Sequence, residues 1–466
     1  MKIMPYSFEK MNDSYLISNM TRDFMIISEY EFTCLKNGNF TDETVLNKFV
    51  ENRFVCSNDE QFEEIITLYR NIHAGLFGGT FLHIFVLTLE CNLNCVYCQA
   101  ESKLNHAVMD ENVAKNSVEI ALQSNVDDLT FEFQGGEPLS NFKTLKFIVD
   151  YSKKINKAKT IHYSVVTNTG LMTDEILDYL IANDVSICVS MDGPQSIHDK
   201  NRPTKNKTSN FDKAIYWYNK AKEEYAKCGK NNKVTALPTV TKYTLNHYKE
   251  FVDFYNDLGE SSVSIRELSP YGRASTNWSD ISYTYDEFLT FYKNCLNYII
   301  ELNLSGKSEL VELYSQMYLH MIVGKCSVNF TDLRSPCGAV IGQIAYNWNG
   351  DIYTCDEGRM MSNQGVEEFK IGNVFESSYK DCIESDCAKC ICSTSCIESN
   401  PDCTYCVFQY ICGVCPIYSY YTQGNLIGRT MLQDRCKILS GKYKYLIKKL
   451  LIGTEDEREV LKKWGK

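Results

Sequence analysis

The chain has 466 residues, 44% apolar and 23% charged, with a formal net charge of −11. That length exceeds the roughly 250–300 residues one hydrophobic core supports, so two or three domains are expected, and the composition is that of a folded chain. The acidic balance argues against nucleic acid or an anionic membrane as partner, since such binders present basic patches. No apolar stretch is long enough to suggest a membrane span or a secretion signal. A cytoplasmic location is expected, and in a reducing compartment the 21 cysteines read as metal or catalytic ligands rather than disulfides.

In chain order, residues 1–78 read as a small α+β module. It has a strand pair at 14–18 and 23–28, then helical stretches at 29–36, 43–52 and 59–74. Three glycines within 75–80 mark a boundary. Apolar, β-branched runs follow at 81–89, 129–133, 161–167, 185–191, 234–240 and 262–265, separated by helical stretches such as 111–123 and 173–183. This βα alternation predicts parallel strands with right-handed crossovers, closing a partial (β/α)6 barrel over 79–305. Past about residue 300 the alternation stops, and thirteen cysteines lie between Cys326 and Cys436, which predicts a cysteine-rich domain over 306–466. Within it, five lysines among apolar residues at 437–449 read as a surface helix with a solvated face.

The first barrel strand runs into Cys91, Cys95 and Cys98, a CxxxCxxC loop. Three thiolates on one loop can hold three irons of a [4Fe–4S] cluster and leave the fourth open, whereas an electron-transfer cluster normally takes four cysteines. A zinc knuckle is the alternative that the spacing alone leaves. An open iron can chelate the amino and carboxylate groups of S-adenosylmethionine (SAM) and pass an electron to its sulfonium, giving a 5′-deoxyadenosyl radical. Further motifs follow successive strands, where the working loops of α/β barrels lie. They are Gly135, Gly136, Glu137 and Pro138; Asn168 within 167–170; and Ser190 with Asp192, Gly193 and Pro194, then His198, Asp199 and Arg202.

In this order the motifs resemble the radical SAM superfamily over residues 81–270. The resemblance implies that Cys91, Cys95 and Cys98 hold the SAM-cleaving cluster. It implies that Gly135, Gly136 and Glu137 meet the methionyl amine, Ser190 the ribose, Arg202 the carboxylate and Tyr97 the adenine, with Asn168 a second ribose candidate.

The later cysteines are also ordered: Cys337, Gly350 and Cys355; then Cys403, Cys406, Cys412 and Cys415; then Cys436. The pattern resembles the SPASM domain, departing from it in the two residues between Cys412 and Cys415 where three are usual. It implies two auxiliary clusters, three [4Fe–4S] units in all. By position Cys403, Cys406, Cys412 and Cys436 hold one. Cys337, Cys355 and Cys415 hold the other, which is one ligand short: either Cys326 completes it or one iron is open. The pattern does not demand Cys382, Cys387, Cys390, Cys392 or Cys396. A further metal site through Cys387 and Cys390, free thiols and a substitute ligand all remain open. Asp356 matches the aspartate that is the candidate base of sulfatase maturases.

Stretches 82–99, 403–424 and 435–438 resemble the His-Xaa-Ser system radical SAM maturases. That implies hydrogen abstraction from a ribosomally made precursor peptide, an oxidative C–C, C–O or thioether crosslink, and a one-electron reductant such as flavodoxin or ferredoxin. Two alternatives stand beside it. One is an anaerobic sulfatase-maturating enzyme that forms formylglycine, which also fits His198, Asp199 and Arg202. The other is a non-catalytic iron–sulfur scaffold. Residues 1–78 are expected either to hold the peptide's leader by strand addition or to cap the barrel.

Overall fold

Strand order explains where the site must lie. The computed structural model describes residues 1–100, 107–231, 233–328 and 330–466. Its N-terminal part is a three-stranded antiparallel sheet of β1 (Tyr6–Met11), β2 (Ser14–Asn19) and β3 (Phe24–Ser28). Three helices follow, α1 (Glu29–Asn37), α2 (Glu43–Glu51) and α3 (Asp59–His73). The sequence reading missed β1. A two-residue turn at Asn12 and Asp13 joins β1 to β2, and Asn12 adopts φ 37° there. Helix α1 starts from a capping box between Ser28 and Glu31 and ends at left-handed Gly38. Strand β2 is buried along nearly its whole length. Tyr15 and Ile17 pack with Phe32, Leu35 and Phe49 of the module, while Leu16 and Phe24 belong to the main core of the protein.

That main core lies on an eight-stranded sheet. Strands β4 (Leu82–Thr88), β5 (Asp128–Gly135), β6 (Thr160–Thr167), β7 (Val185–Ser190) and β8 (Val234–Leu237) are neighbours in chain order and all parallel. Helices Glu111–Ala121, Phe142–Ile155, Asp174–Ala182 and Phe211–Lys227 make the crossovers, and each turns a buried stripe to the sheet.

The sixth parallel strand is not the one expected at 262–265. There only Ser262–Val263 is extended, and it pairs with Val311–Glu312 apart from the main sheet. The fully buried Glu312 carboxylate accepts from the Ile265 N–H (3.1 Å), so a side chain takes the place of a strand partner. The sixth parallel strand comes instead from beyond residue 305. Strand β9 (Gln343–Tyr346) lies beside β4, Gln343 opposite Leu82, and β10 (Asp351–Tyr353) and β11 (Lys370–Asn373) extend the sheet antiparallel. The mixed α/β fold with a central parallel sheet is the one expected, and the cysteine-rich C-terminal part shares that sheet.

The lysine-bearing tail forms helix Asp434–Ile452, which packs on helix Tyr285–Leu304. It is not a simple solvated face, because Lys442 is fully buried. Among the described residues no helix is long and apolar enough to cross a membrane.

Candidate active site

The cysteine loop leaves the C-terminal end of β4, and backbone bonds fix it to the segment that carries Arg202. Asn94 N donates to Pro203 O (2.7 Å) and Val96 N to Asn201 O (2.9 Å). Arg273 braces the other side, donating to Asn94 Oδ1 (2.6 Å) and Cys95 O (3.1 Å). One cavity of about 160 Å³ results at the strand ends. Its walls include Cys91, Cys95, Cys98, Tyr97, Gly135, Gly136, Asn168, Ser190 and Arg202. Nine of the ten residues expected for the radical site thus share one wall; Glu137 is the tenth.

The glycines are required by the close passage of β5 over β4. A Cβ on Gly135, at φ +140°, would lie 2.1 Å from Thr88 O, and one on Gly136 would lie 2.2 Å from Glu90 O. Glu137 follows them but turns inward and is fully buried. Its carboxylate accepts from Thr167 Oγ1 (2.7 Å) and from the N–H groups of Asn168 (2.8 Å) and Leu139 (3.1 Å). Burial nonetheless pushes its pKa up to about 7. Its side chain therefore ties the end of β5 to the Thr167–Asn168 turn. The Asn168 side chain is also engaged, donating to Asn92 Oδ1 (2.9 Å) and toward Cys91 Sγ (3.7 Å), so it steadies the cysteine loop.

Arg202 is nearly buried, with its guanidinium 5.3 Å from the centre of the Tyr97 ring. Asp192 joins the two, accepting from Tyr97 Oη (2.7 Å), Arg202 Nη2 (3.0 Å) and Thr239 N (2.9 Å). Arg202 Nε is buried with no protein partner among the described residues, so a cationic donor on the cavity wall still has an N–H to give. Burial pushes the Cys91 and Cys95 thiols up to about 11 and about 12. Unmetallated, they stay protonated; a metal would hold them as thiolates. Three cysteines and an unsatisfied guanidinium around one cavity fit an iron–sulfur cluster with an amino-acid-bearing ligand. No group of three or more His, Cys, Asp or Glu side chains among the described residues closes on a single metal ion.

No disulfide joins any of the 21 cysteines. Cys403, Cys406, Cys412 and Cys436 line a second, mostly apolar cavity of about 410 Å³, with Phe8 of β1 on its wall. Cys337, Cys355 and Cys415 share a packed cluster with Tyr271, Met360 and Ile417. Burial raises the Cys355 thiol, and Cys415 and Cys337 beside it raise it further. The first set thus lines one cavity, which Cys415 also borders, and the second packs in one apolar cluster together with Cys387. Cys326 stands outside them. It is exposed, its Sγ donates to His320 O (3.2 Å), and its carbonyl accepts from Arg22 of the N-terminal module (2.8 Å). The Lys325–Asp23 ion pair (2.8 Å) ties that segment to the N-terminal module. Of the remaining cysteines, Cys382 is core and Cys387 donates to Glu368 O (3.2 Å). Cys390 is exposed on helix Asp386–Thr394, and Cys396 donates to Cys392 O (3.4 Å).

The radical SAM superfamily model matches residues 85–255, the stretch that builds the first cavity. Over that stretch the chain is similar to the radical SAM superfamily. An uncharacterised protein of Methanocaldococcus jannaschii is 34% identical over 40% of this chain and 62% of its own length, so the chain spans less than two thirds of that relative. The radical SAM cyclopropyl synthase TigE of Paramaledivibacter caminithermalis is 24% identical over 74% of this chain and 72% of its own. Among solved structures, anSMEcpe with bound AdoMet superimposes with a TM-score of 0.64 at 20% identity, over 78% of this chain and 98% of that one. SuiB of Streptococcus suis bound to precursor peptide SuiA gives 0.56 at 15% identity, over 92% and 98%. These two likenesses establish the fold.

Within this radical SAM fold, Asp356 opens helix Asp356–Ser362 directly after Cys355 and is ion-paired with buried Arg359. Burial raises the pKa of Glu132, on β5, and the charge of Asp356 raises it further. Glu132 accepts from Gln134 (2.5 Å) and Ser164 (3.4 Å). Sequence reasoning missed Glu132, Gln134 and the role of Asp192. A signal existed for the first two: polar residues at i and i+2 in an otherwise apolar parallel strand point to the same face.

Proposed function

We propose that this chain is a radical SAM maturase that abstracts hydrogen from a ribosomally synthesised peptide and installs an oxidative crosslink. The observation that carries the reading is the single cavity uniting Cys91, Cys95, Cys98, Ser190 and Arg202, with Arg202 Nε unsatisfied. Cys91, Cys95 and Cys98 would hold a [4Fe–4S] cluster and the cavity would take SAM. When bound, the pair supplies one-electron cleavage of SAM and a hydrogen-abstracting radical. Arg202, held by Asp192 and Tyr97, orients the SAM carboxylate, and Ser190 contributes a hydroxyl at the ribose. Asp356 takes a proton from the substrate. The two C-terminal cysteine sets would carry auxiliary clusters that accept electrons, and a flavodoxin- or ferredoxin-like reductant would supply the first one. The N-terminal sheet, with β1 and β3 at its edges, would receive the leader by strand addition.

Formylglycine formation is the second reading. It is favoured by the likeness to a cysteine-type anaerobic sulfatase-maturating enzyme of Clostridium perfringens, 23% identical over 64% of this chain and 78% of its own. A test is to reconstitute the protein anaerobically with iron, sulfide, SAM and dithionite, then measure 5′-deoxyadenosine. Replacing Cys91, Cys95 and Cys98 with alanine is expected to abolish it. Asp356→Asn should keep SAM cleavage while lowering peptide product about 10²–10⁴-fold. Unchanged 5′-deoxyadenosine in the triple variant overturns the reading. A mass gain of formylglycine on a sulfatase peptide, with no crosslink on any precursor peptide, selects the second.

A further inference from the structure

The loop from Cys91 to Cys98 has no charged residue of its own, and it reaches the surface at Asn94, which is exposed. The segments that hold it there are basic. On one side the 204–208 turn is tied to the loop by the bridge between Leu93 and Thr204 and by the bond from Asn94 N to Pro203 O (2.7 Å). Thr204 Oγ1 accepts from Thr208 N (2.8 Å), which closes that turn on itself and leaves Lys205 and Lys207 exposed within it. Exposed Lys200 lies 5.8 Å from the Tyr243 ring centre, and Tyr243 packs with Val96 and Tyr97 of the loop. On the other side Arg273 donates to Asn94 Oδ1 (2.6 Å). None of these four cations is ion-paired with a described residue. The carboxylates nearest in sequence are already engaged: Asp199 accepts from Ser209 Oγ (2.7 Å), and half-buried Glu90 has a partner within the protein. In a chain of net charge −11 the face around Asn94 is therefore a local cationic exception.

From this placement we propose that the surface of Lys200, Lys205 and Lys207 around Asn94 is where an acidic one-electron carrier protein docks to reduce the cluster held by Cys91, Cys95 and Cys98. Unpaired cations beside a redox loop attract and orient a negatively charged partner, and the acidic remainder of the chain repels it from other faces. Weak electron-transfer encounters need only a small interface, so a few lysines around one exposed loop suffice. Asn94 adjoins Cys95, so a carrier seated on it is one residue from a cluster ligand. One electron leaves the carrier and enters the cluster; no bond forms or breaks, and no proton is required.

The proposal deepens the reading of Cys91, Cys95 and Cys98 as a SAM-cleaving site, and the two can fail separately. Reconstituted holoenzyme is compared with two triple variants, Lys200→Glu/Lys205→Glu/Lys207→Glu and Lys153→Glu/Lys154→Glu/Lys157→Glu. The second makes the same change of net charge at exposed lysines where β6 begins, at the opposite end of the sheet from the cysteine loop. Each protein is assayed for 5′-deoxyadenosine with dithionite and with a reduced acidic flavodoxin, and for binding of the oxidised flavodoxin by calorimetry. With dithionite all three are expected to hold the same iron and reach the same yield. With flavodoxin, reversal at 200, 205 and 207 should slow the reaction and weaken binding about 10–10²-fold, while reversal at 153, 154 and 157 leaves both near wild type. Raising salt from about 0.01 M to about 0.1 M, which shortens the Debye length from about 30 Å to about 10 Å, should shrink the difference. Glutamine in place of the three patch lysines should give a smaller loss of the same sign, which covers a charge-reversed chain that fails to fold. No 5′-deoxyadenosine from wild type with dithionite removes the cluster reading and the proposal with it. Unchanged flavodoxin binding and rate in the patch variants, or an equal loss in the distant variant, would overturn the docking surface alone.

Discussion

Glu137 shows how one side chain can serve a site without touching its ligand. Held by Thr167 Oγ1 and two backbone N–H groups, it is still pushed up to about 7 by burial, against an unfolded value of about 4.3. Between those values the native state holds a proton that the unfolded chain has released, so stability falls as pH rises through that window. The full effect is on the order of 3 kcal/mol. Urea unfolding of the apoprotein is expected to show wild type losing more stability than Glu137→Gln between about pH 5 and about pH 8. Parallel pH curves for the two would show that Glu137 is ionised throughout. At this scale the sequence made the cavity residues legible, because motifs after successive parallel strands must converge at one sheet end. It did not reveal which of them face inward. Glu137 and Asn168 look like ligands in the motif but are spent on the Thr167–Asn168 turn and on Asn92. Asp192, which looks like a turn residue, joins Tyr97 to Arg202.

Helix Asp434–Ile452 illustrates the same limit for an element. Its lysines predict a wet face, and most of them remain partly exposed, but Lys442 is wholly enclosed. Its Nζ lies 3.8 Å from Glu267 Oε2 and 3.3 Å from Ile265 O, within 4.8 Å of the Tyr314 ring centre and 5.2 Å of that of Tyr292. No periodicity can announce this, since the partners come from segments more than a hundred residues earlier. Lys442→Met keeps the stem but strands the Glu267 charge, and losing one partner of a buried pair costs about 3–5 kcal/mol. Arg435 also acts on Glu267, so the lower end of that range is expected. Lys448→Ala, on the same helix, should stay within about 0.5 kcal/mol of wild type. If both variants unfold at the same denaturant concentration, the buried pair contributes nothing. Strands β4 to β8, by contrast, were readable to within a few residues at each end. β4 is an apolar run buried on both faces, and β5 to β7 hold buried apolar residues at every second position, whereas β1, half wet and six residues long, shows neither pattern.

At the scale of the whole molecule, the parts read from sequence as separate share their cores. The barrel's first strand, β4, has β5 on one side and β9 on the other, and β9 arrives from more than 250 residues downstream. All four residues of β9 are buried. Ala345 packs with Ile84 and Val86, and Tyr346 Oη is 3.0 Å from His83 Nδ1. Across the other seam, Leu16 and Phe24 of the N-terminal sheet enter the main core, and Ser18 Oγ donates to Val407 O (2.6 Å). Local pattern identifies each strand but not such long-range neighbours, which explains why 262–265 looked like the sixth barrel strand. A fragment ending at residue 305 would leave Leu82–Thr88 as a bare apolar edge, with unpaired N–H and C=O groups along its length. Edges of that kind template association between chains. Residues 79–305 expressed alone are therefore expected to be insoluble or to elute as large assemblies, while the whole chain is not. Adding residues 306–466 back should restore a discrete species by supplying β9. Should 79–305 by itself run as a monomer and unfold cooperatively, β9 would be an accessory to the barrel rather than part of it.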